Sequence, residues 1–527
     1  MSDTAPDTPN GARALIRTLV AAGVDTCFTN PGTSEMHFVA ALDAVPEMRA
    51  VLALFEGVAT GAADGYARMA GRPATTLLHL GPGLGNGLAN LHNARKGRVP
   101  VVNVIGDHAT YHKQYNAQLE SDIETAARNV SPGWVRTSES PAEVGRDAAE
   151  AVAAALGPPG QVATLILPAD VSWSPGGVQG EPIAPAGPVA LDADAVDAVA
   201  KALRSGEPCG ILVGGTALSE DGLVAASRLA TATGAKLVAE TFPTRMARGA
   251  GVPNVDRLPY LAEFAMAQLE GLRHLVLADA KAPVSFFAYP GKPSYLVPDG
   301  CEVHVLAGPG SDGAAALAAV AEAIGAPVDG AARQPAAVPD RPTGALDARA
   351  VAQAVAALLP EGAIVSDEGN TSSLFAPGMT AGAPRHDWLT LTGGAIGQGL
   401  PVATGAAVAC PDRRVIALEA DGSALYTLQS LWTQARESLD VTTIVFNNRS
   451  YAVLNMELNR VGAEPPGPKA KELLDLSRPD IDFVALATGL GVRATRATTA
   501  DEMSDQLARA LAEPGPSLIE AMVPTVM

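Results

Sequence analysis

Short apolar runs recur along the chain, separated by longer stretches whose apolar residues return with helical spacing. Residues 100–105 (PVVNVI) and 162–167 (VATLIL) have the length and β-branched content of strands buried on both faces. Between them, the Ala-rich stretch 142–156 reads as helix. The alternation continues at 210–213 (GILV), 236–239 (KLVA) and 275–278 (LVLA). It resumes at 363–366 (AIVS), 414–418 (RVIAL), 442–446 (TTIVF) and 517–522 (SLIEAM). Two Gly/Pro-rich stretches without either periodicity, 174–189 and 326–345, interrupt it. They divide the chain into domains at 1–175, 190–325 and 345–527. Strand–helix alternation in each predicts an α/β protein with three open parallel-sheet domains. Sheets of this kind bind ligands at the carboxyl ends of their strands.

Composition narrows the class. A chain of 527 residues exceeds one hydrophobic core, and 47% hydrophobic with 18% charged residues is a globular balance. The net charge of −19 and the lack of any Lys/Arg run argue against nucleic-acid binding; the acidic exterior reads as a solubility surface. Local amides and a metal ion can still hold an anionic ligand on such a surface. Cys27, Cys209, Cys301 and Cys410 lie far apart and form no CxxC pair, so free thiols are expected. The polar start (MSDTAPDTPNG) lacks the apolar core of a signal peptide, and no stretch of 18 uncharged apolar residues occurs. No membrane partner and a cytoplasmic location are therefore expected.

The chemistry concentrates in two segments. In 414–451, one strand delivers Asp421 to its carboxyl end, followed by Gly422 and Ser423 at the start of a helix predicted to reach Glu437. A second strand, 442–446, delivers Asn447 and Asn448. If the strands are neighbours, a carboxylate, an amide oxygen and a main-chain carbonyl face one spot. Such hard oxygen donors suit Mg²⁺ or Ca²⁺ shared with phosphate, and the Gly422–Ser423 amides suit the phosphate itself. Each piece alone is an ordinary turn or loop. In 52–71 (LALFEGVATGAADGYARMAG), Glu56 lies between an apolar strand and a helix of small residues. A carboxylate there needs a partner, although a helix N-terminus by itself favours one.

Together, with 24 residues between Gly422 and Asn447, the two strand-end pieces resemble the thiamine diphosphate signature, which begins Gly-Asp-Gly and ends Asn-Asn. Ala420 stands in place of its first glycine. Residues 28–38 (FTNPGTSEMHF), 52–71 and 393–401 (GGAIGQGLP) extend the resemblance over nearly the whole chain. It is to the acetolactate synthase and benzoylformate decarboxylase group of thiamine diphosphate-dependent enzymes. The resemblance implies pyrimidine-binding, middle and diphosphate-binding domains. It implies Mg²⁺ held by Asp421, Asn448 and the Ser450 carbonyl. Glu56 would hydrogen-bond N1′ of the aminopyrimidine and so promote loss of the thiazolium C2 proton. The Gly394 carbonyl would meet the 4′-amino group, with Ile396 wedged between the rings. Asn30, Gly32, Asn370, Thr371, Gly422, Ser423 and Tyr451 are further candidate cofactor contacts.

His79 aligns with an active-site histidine of benzoylformate decarboxylase and would shuttle protons. Thr33 or Ser34 stands near the substrate-orienting serine, and Gln118, Val453 and Leu454 are candidate pocket residues. Phe286 falls where the decarboxylase carries its second histidine. The His-His pair of pyruvate decarboxylase is missing, with His108 and His112 in roughly that region. The implied reaction is decarboxylation of a 2-oxo acid, followed by protonation or carboligation. The implied assembly is a homodimer or homotetramer, with active sites at subunit interfaces. Alternatives are a flavin-containing oxidase or C–C hydrolase on the same scaffold, and a non-catalytic regulatory subunit. The Gly214–Gly215 pair reads as a structural turn, FAD being the other reading. Intact Glu56, Asp421 and Asn448 argue against a regulatory role.

Overall fold

The apolar runs pair into three sheets in a computed structural model that describes residues 9–526. The polar start at residues 1–8 lies outside the described residues. Among those described, no helix is long and apolar enough to cross a membrane. The first sheet comprises β1 (Thr26–Asn30), β2 (Arg49–Leu52), β3 (Ala74–Leu78), β4 (Val101–Asp107), β5 (Val135–Thr137) and β6 (Val162–Pro168). Its order is β2-β1-β3-β4-β6-β5, all parallel. Every residue of β4 and β6 is buried, as their mostly apolar sequences predict, and the polar Asn103 and Thr164 among them are bonded to each other at 3.0 Å.

The middle stretch supplies β7 (Cys209–Val213), β8 (Lys236–Ala239), β9 (Met246–Arg248), β10 (Asp256–Arg257), β11 (His274–Ala278) and β12 (Glu302–Ala307). Five of these form a parallel sheet in the order β10-β8-β7-β11-β12. The exception is β9, which pairs antiparallel with β14 and becomes an edge of the third sheet. That sheet otherwise contains β13 (Ala363–Glu368), β14 (His386–Thr390), β15 (Val415–Ala420), β16 (Val441–Asn447), β17 (Arg493–Ala497) and β18 (Ser517–Met522). Its order is β17-β18-β16-β15-β13-β14-β9.

The first and third sheets share one core. The helix Glu56–Ala70 packs on the helix Gly399–Ala409, and nearly every residue of both is buried. Small residues make the approach backbone to backbone. A Cβ placed on Gly65 would lie 2.1 Å from the Val402 carbonyl oxygen, and one on Gly405 would lie 1.8 Å from that of Ala62. Arg68, buried in the first of these helices, clamps Asp64 through two bonds of 2.7 and 2.8 Å. It also donates to the carbonyls of Thr244 and Thr390, at 3.2 and 2.8 Å. A buried guanidinium bonded to this many acceptors ties the first helix to the segments that carry Thr244 and Thr390.

The helix expected to run from Ser423 to Glu437 is two shorter pieces, Asp421–Ala424 and Ser430–Arg436. The break has a tertiary cause. Between them Thr427 donates from Oγ1 to the Gly397 carbonyl at 3.0 Å, which turns the chain towards the 393–399 loop.

Candidate active site

Parallel pairing of β15 with β16 sets Ala420 opposite Phe446, so the residues following each strand emerge side by side. Asp421 and Asn448 are both buried there. The Asp421 carboxylate accepts from the amides of Gly422 (2.8 Å) and Arg449 (2.6 Å). Burial pushes its pKa up to about 6, against the pull of the Arg449, Gly422, Asn448 and Ser450 amides. The Asn448 side chain accepts from the Ser450 amide at 2.9 Å and donates to Ser372 Oγ at 3.3 Å. The Ser450 carbonyl, the third candidate metal ligand, accepts from the Ala452 amide at 2.8 Å. A second lone pair remains on that oxygen. Arg449 holds its amide in place from the left-handed region, φ 59°.

Ala420 has φ −84° and ψ 150°, an extended backbone any residue adopts. Its methyl group in place of the signature's first glycine therefore strains nothing. The glycine that matters locally is Gly422, where an added Cβ would sit 2.4 Å from the Tyr451 ring. The donor set fits a magnesium diphosphate. A desolvated carboxylate recovers its ionised form beside a cation, and the neighbouring amide oxygen is a hard donor of the same kind.

The loop 393–399 is held from both blocks. Asn90 donates to the carbonyls of Gly57 (2.8 Å) and Gly397 (3.1 Å). Gly394 lies at φ 77°, and a Cβ on it would meet the Phe286 ring at 2.4 Å, so Phe286 and Gly394 are brought together. Ile396, two residues after Gly394, is half-buried. Beneath the loop, Glu368 accepts from the amides of Gly397 (2.7 Å) and Gly399 (2.5 Å). It faces the buried Glu419, which is bonded to Ser423. Burial, together with the two carboxyl groups' proximity, raises the pKa of Glu419; burial likewise raises that of Glu368. Two such neighbours hold one proton between them more readily than none.

In the first block, Glu56 is buried at the start of its helix and accepts from Asn86 at 2.9 Å. His79 caps the next helix, Leu80–Lys96, and its Nδ1 lies 2.8 Å from Glu35 Oε2. The same oxygen accepts from the Gly32 amide at 2.7 Å. A Cβ on Gly32 would strike the His79 ring at 2.2 Å. Thr33 and Ser34 form the short turn of helix between Gly32 and Glu35, and Asn30 ends β1 just before it. The Gly32–Glu35–His79 cluster thus sets Gly32 and Glu35 against one imidazole, with Thr33 and Ser34 between them in the chain.

Other candidates have no hydrogen bond to the Gly32–Glu35–His79 cluster among the described residues. Gln118 is exposed on the loop before the helix Ile123–Arg128, with no hydrogen bond to the cluster among the described residues. His108 and His112 pair with each other, ring centroids 5.2 Å apart. Asn370, exposed at φ 50°, bonds back to the Glu368 carbonyl at 3.1 Å, and Thr371 follows it half-buried. Val453 is half-buried and Leu454 exposed on the helix Ala452–Arg460. The Gly214–Gly215 turn faces the chain's own Asp279, which accepts from the Thr216 amide and hydroxyl and from Arg98.

Sequence reasoning missed Glu35, Ser372, Glu368, Glu419 and the asparagines 86, 90 and 93. A signal existed for some. Gly32-Thr-Ser-Glu35 has the spacing of a helix start whose fourth residue reaches back to the first amide. Asn86, Asn90 and Asn93 fall at helical spacing, a polar stripe on a helix otherwise rich in small apolar residues.

The comparisons with known proteins agree with this geometry. Residues 9–127 match the thiamine pyrophosphate enzyme N-terminal TPP binding domain, and residues 367–521 match the C-terminal TPP binding domain of the same family. IlvX of Mycobacterium tuberculosis, assigned by name only as an acetolactate synthase large subunit, is 62% identical over 98% of this chain and 100% of its own length. Benzoylformate decarboxylase of Pseudomonas aeruginosa is 32% identical over 96% of this chain and 97% of its own. The solved structure of a thiamine diphosphate-dependent 4-hydroxybenzoylformate decarboxylase from Rhodococcus jostii RHA1 superposes with a TM-score of 0.84. It does so at 24% identity, over 98% of this chain and 99% of that one, a likeness of fold. The chain belongs to the thiamine pyrophosphate enzyme family and is a thiamine diphosphate-dependent enzyme.

Proposed function

We propose that this enzyme decarboxylates 2-oxo acids with a bulky apolar side chain and returns a proton to the product. The observation that carries the reading is the His79–Glu35 pair at 2.8 Å. An ionised Glu35 accepts from Nδ1–H and fixes the ring, leaving Nε2 as the nitrogen that takes or gives a proton. Asp421, Asn448 and the Ser450 carbonyl would hold Mg²⁺. Gly422, Ser423, Asn370, Thr371 and Tyr451 would surround the diphosphate. Glu56, Gly394 and Ile396 would position the aminopyrimidine, with Asn30 and Gly32 nearby. Bound there, thiamine diphosphate would supply a nucleophilic carbon and a sink for the electron pair left behind when carbon dioxide departs.

Phe286 supports the apolar substrate. Its ring packs with Phe242, Tyr260 and Phe287 at centroid distances of 5.7, 5.2 and 4.8 Å beside Gly394. Thr33, Ser34, Val453 and Leu454 complete the proposed pocket, with Gln118 at its edge. Carboligation is the second reading, favoured by the full-length identity to the protein named as an acetolactate synthase.

The complete site is proposed to lie between two copies. Glu56 bonds within the first block and Asp421 within the third, and among the described residues no hydrogen bond joins them. The domain limits 1–175, 190–325 and 345–527, and a cytoplasmic homodimer or homotetramer, belong to the same reading.

The test uses purified enzyme with Mg²⁺ and thiamine diphosphate, offered pyruvate, benzoylformate and branched 2-oxo acids. Carbon dioxide release and the products are followed. Release of an aldehyde from benzoylformate or a branched acid, lost in Glu56→Gln, is expected. No release from any substrate by cofactor-loaded enzyme rejects the 2-oxo acid reading. Glu56→Gln and Asp421→Ala proteins, each inactive, should regain activity when their subunits are mixed; no recovery after proven exchange rejects the two-copy site.

A further inference from the structure

A second cluster of ligand-bearing side chains lies in the middle sheet, apart from the proposed cofactor residues. His274 opens β11, and Glu302 and His304 lie on the adjacent parallel strand β12, with His274 opposite Glu302 in the register. Because side chains alternate along a strand, Glu302 and His304 share one face. The His274 ring reaches both, at the amino end of the sheet. The Gly214–Gly215 turn is at the opposite, carboxyl end.

One atom from each residue converges on a common point. His274 Nδ1 is 3.0 Å from His304 Nε2. Glu302 Oε2 is 3.7 Å from the first nitrogen and 3.9 Å from the second. For tetrahedral zinc with ligand bonds near 2.0–2.1 Å, neighbouring donor atoms stand roughly 3.3 Å apart. The three observed separations bracket that value, so small rotations of the side chains would seat an ion.

The tautomer of His274 is set from behind. Its Nε2 is 2.9 Å from Glu207 Oε2, on the segment leading into β7. A carboxylate accepts, so Nε2 carries the proton and Nδ1 presents its lone pair to the triangle. A carboxylate behind an imidazole is the usual outer support of a metal-bound histidine. Both histidine side chains are largely buried, whereas Glu302 is 68% exposed. A fourth position would therefore open to water.

We propose that His274, Glu302 and His304 form a binding site for a divalent transition metal of the zinc class, joining β12 to β11 at the edge of the middle sheet. Two imidazoles and one carboxylate select such a metal over Mg²⁺, which prefers an all-oxygen shell. The ion lies outside the reaction site and acts as a clip on an edge strand.

The experiment titrates enzyme saturated with Mg²⁺ and thiamine diphosphate with Zn²⁺ by calorimetry, then counts zinc retained after desalting. One zinc per chain is expected in the wild type and in Asp421→Ala, and none in His274→Ala or His304→Ala. Glu207→Gln should weaken binding about 10–100-fold. Co²⁺ should give the visible absorption bands of a low-coordinate site in the wild type and lose them in His304→Gln. That variant preserves polarity where the alanine variant fails to fold. Equal zinc in the wild type and both histidine variants, or none retained by the wild type, overturns the proposal. In the latter case the two histidines are joined by a simple hydrogen bond.

Discussion

Asn93 grips Ala395 from both sides: its amide nitrogen donates to the Ala395 carbonyl at 2.8 Å, and its oxygen accepts from the Ala395 amide at 3.2 Å. One fully buried side chain thereby pairs like a strand with the loop proposed to carry the cofactor's aminopyrimidine. Replacing it with leucine keeps the branched shape of the side chain and strands two backbone groups. Each such unpaired buried group costs about 1–3 kcal/mol. Asn93→Leu should lower the melting temperature and raise the thiamine diphosphate concentration needed for half-maximal activity. An unchanged half-saturation in a correctly folded variant would show that the loop's position does not depend on this grip.

The helix pair behind the site should tolerate no added methyl group. In Gly65→Ala and Gly405→Ala the new carbon meets a carbonyl oxygen of the facing helix, and backbone cannot swing aside as a side chain would. Overpacking of this kind costs about 1–3 kcal/mol. Urea unfolding should show a fall of at least that size for each. Gly71→Ala is a different control: no atom crowds the position, but its φ of 67° imposes a backbone penalty of about 1 kcal/mol.

Asp421→Ala should abolish magnesium-dependent retention of thiamine diphosphate while leaving the fold intact. Gel filtration of the cofactor-loaded protein with and without a chelator reads this directly. Retention at the wild-type level would reject Asp421 as a metal ligand.

Acid should destabilise the protein partly through His386. Burial holds its pKa down to about 4, helped by Arg248 and opposed by the Pro384 carbonyl and Asp387. The unfolded chain takes up a proton near pH 6.5, which the folded chain refuses until about pH 4. Stability is therefore full above about 6.5 and falls as pH drops through that window, by on the order of 3 kcal/mol. His386→Gln should flatten the profile between these limits. An identical pH dependence of the unfolding midpoint would assign the acid sensitivity elsewhere.

The strands could be read from sequence because runs such as 162–167 and 442–446 are buried on both faces and carry no competing pattern. The meeting of Asp421 with Asn448 was also legible, since both follow apolar runs and neighbouring strands of a parallel sheet end together. The strand Met246–Arg248 was not. It has three residues, its partner lies about 140 residues away, and only pairing with β14 makes it a strand. The break after Ala424 was hidden for a similar reason, because the Gly397 carbonyl that turns the chain comes from another segment. Glu35, Glu368 and Glu419 look like surface carboxylates until the fold brings amides, a hydroxyl and an imidazole to them, one oxygen each of Glu35 and Glu419 staying without a hydrogen-bond partner.

The excursion of β9 into the third sheet bears on how such a chain can be recombined. A middle segment exchanged wholesale between relatives would replace its neighbour's edge strand with a foreign one, which must find its register on β14. Grafts that keep residues 246–248 with the recipient, and trade only what lies on either side, would preserve that seam. Inheritance as an interchangeable cassette is thus constrained by three residues that belong to one segment by sequence and to another by hydrogen bonding.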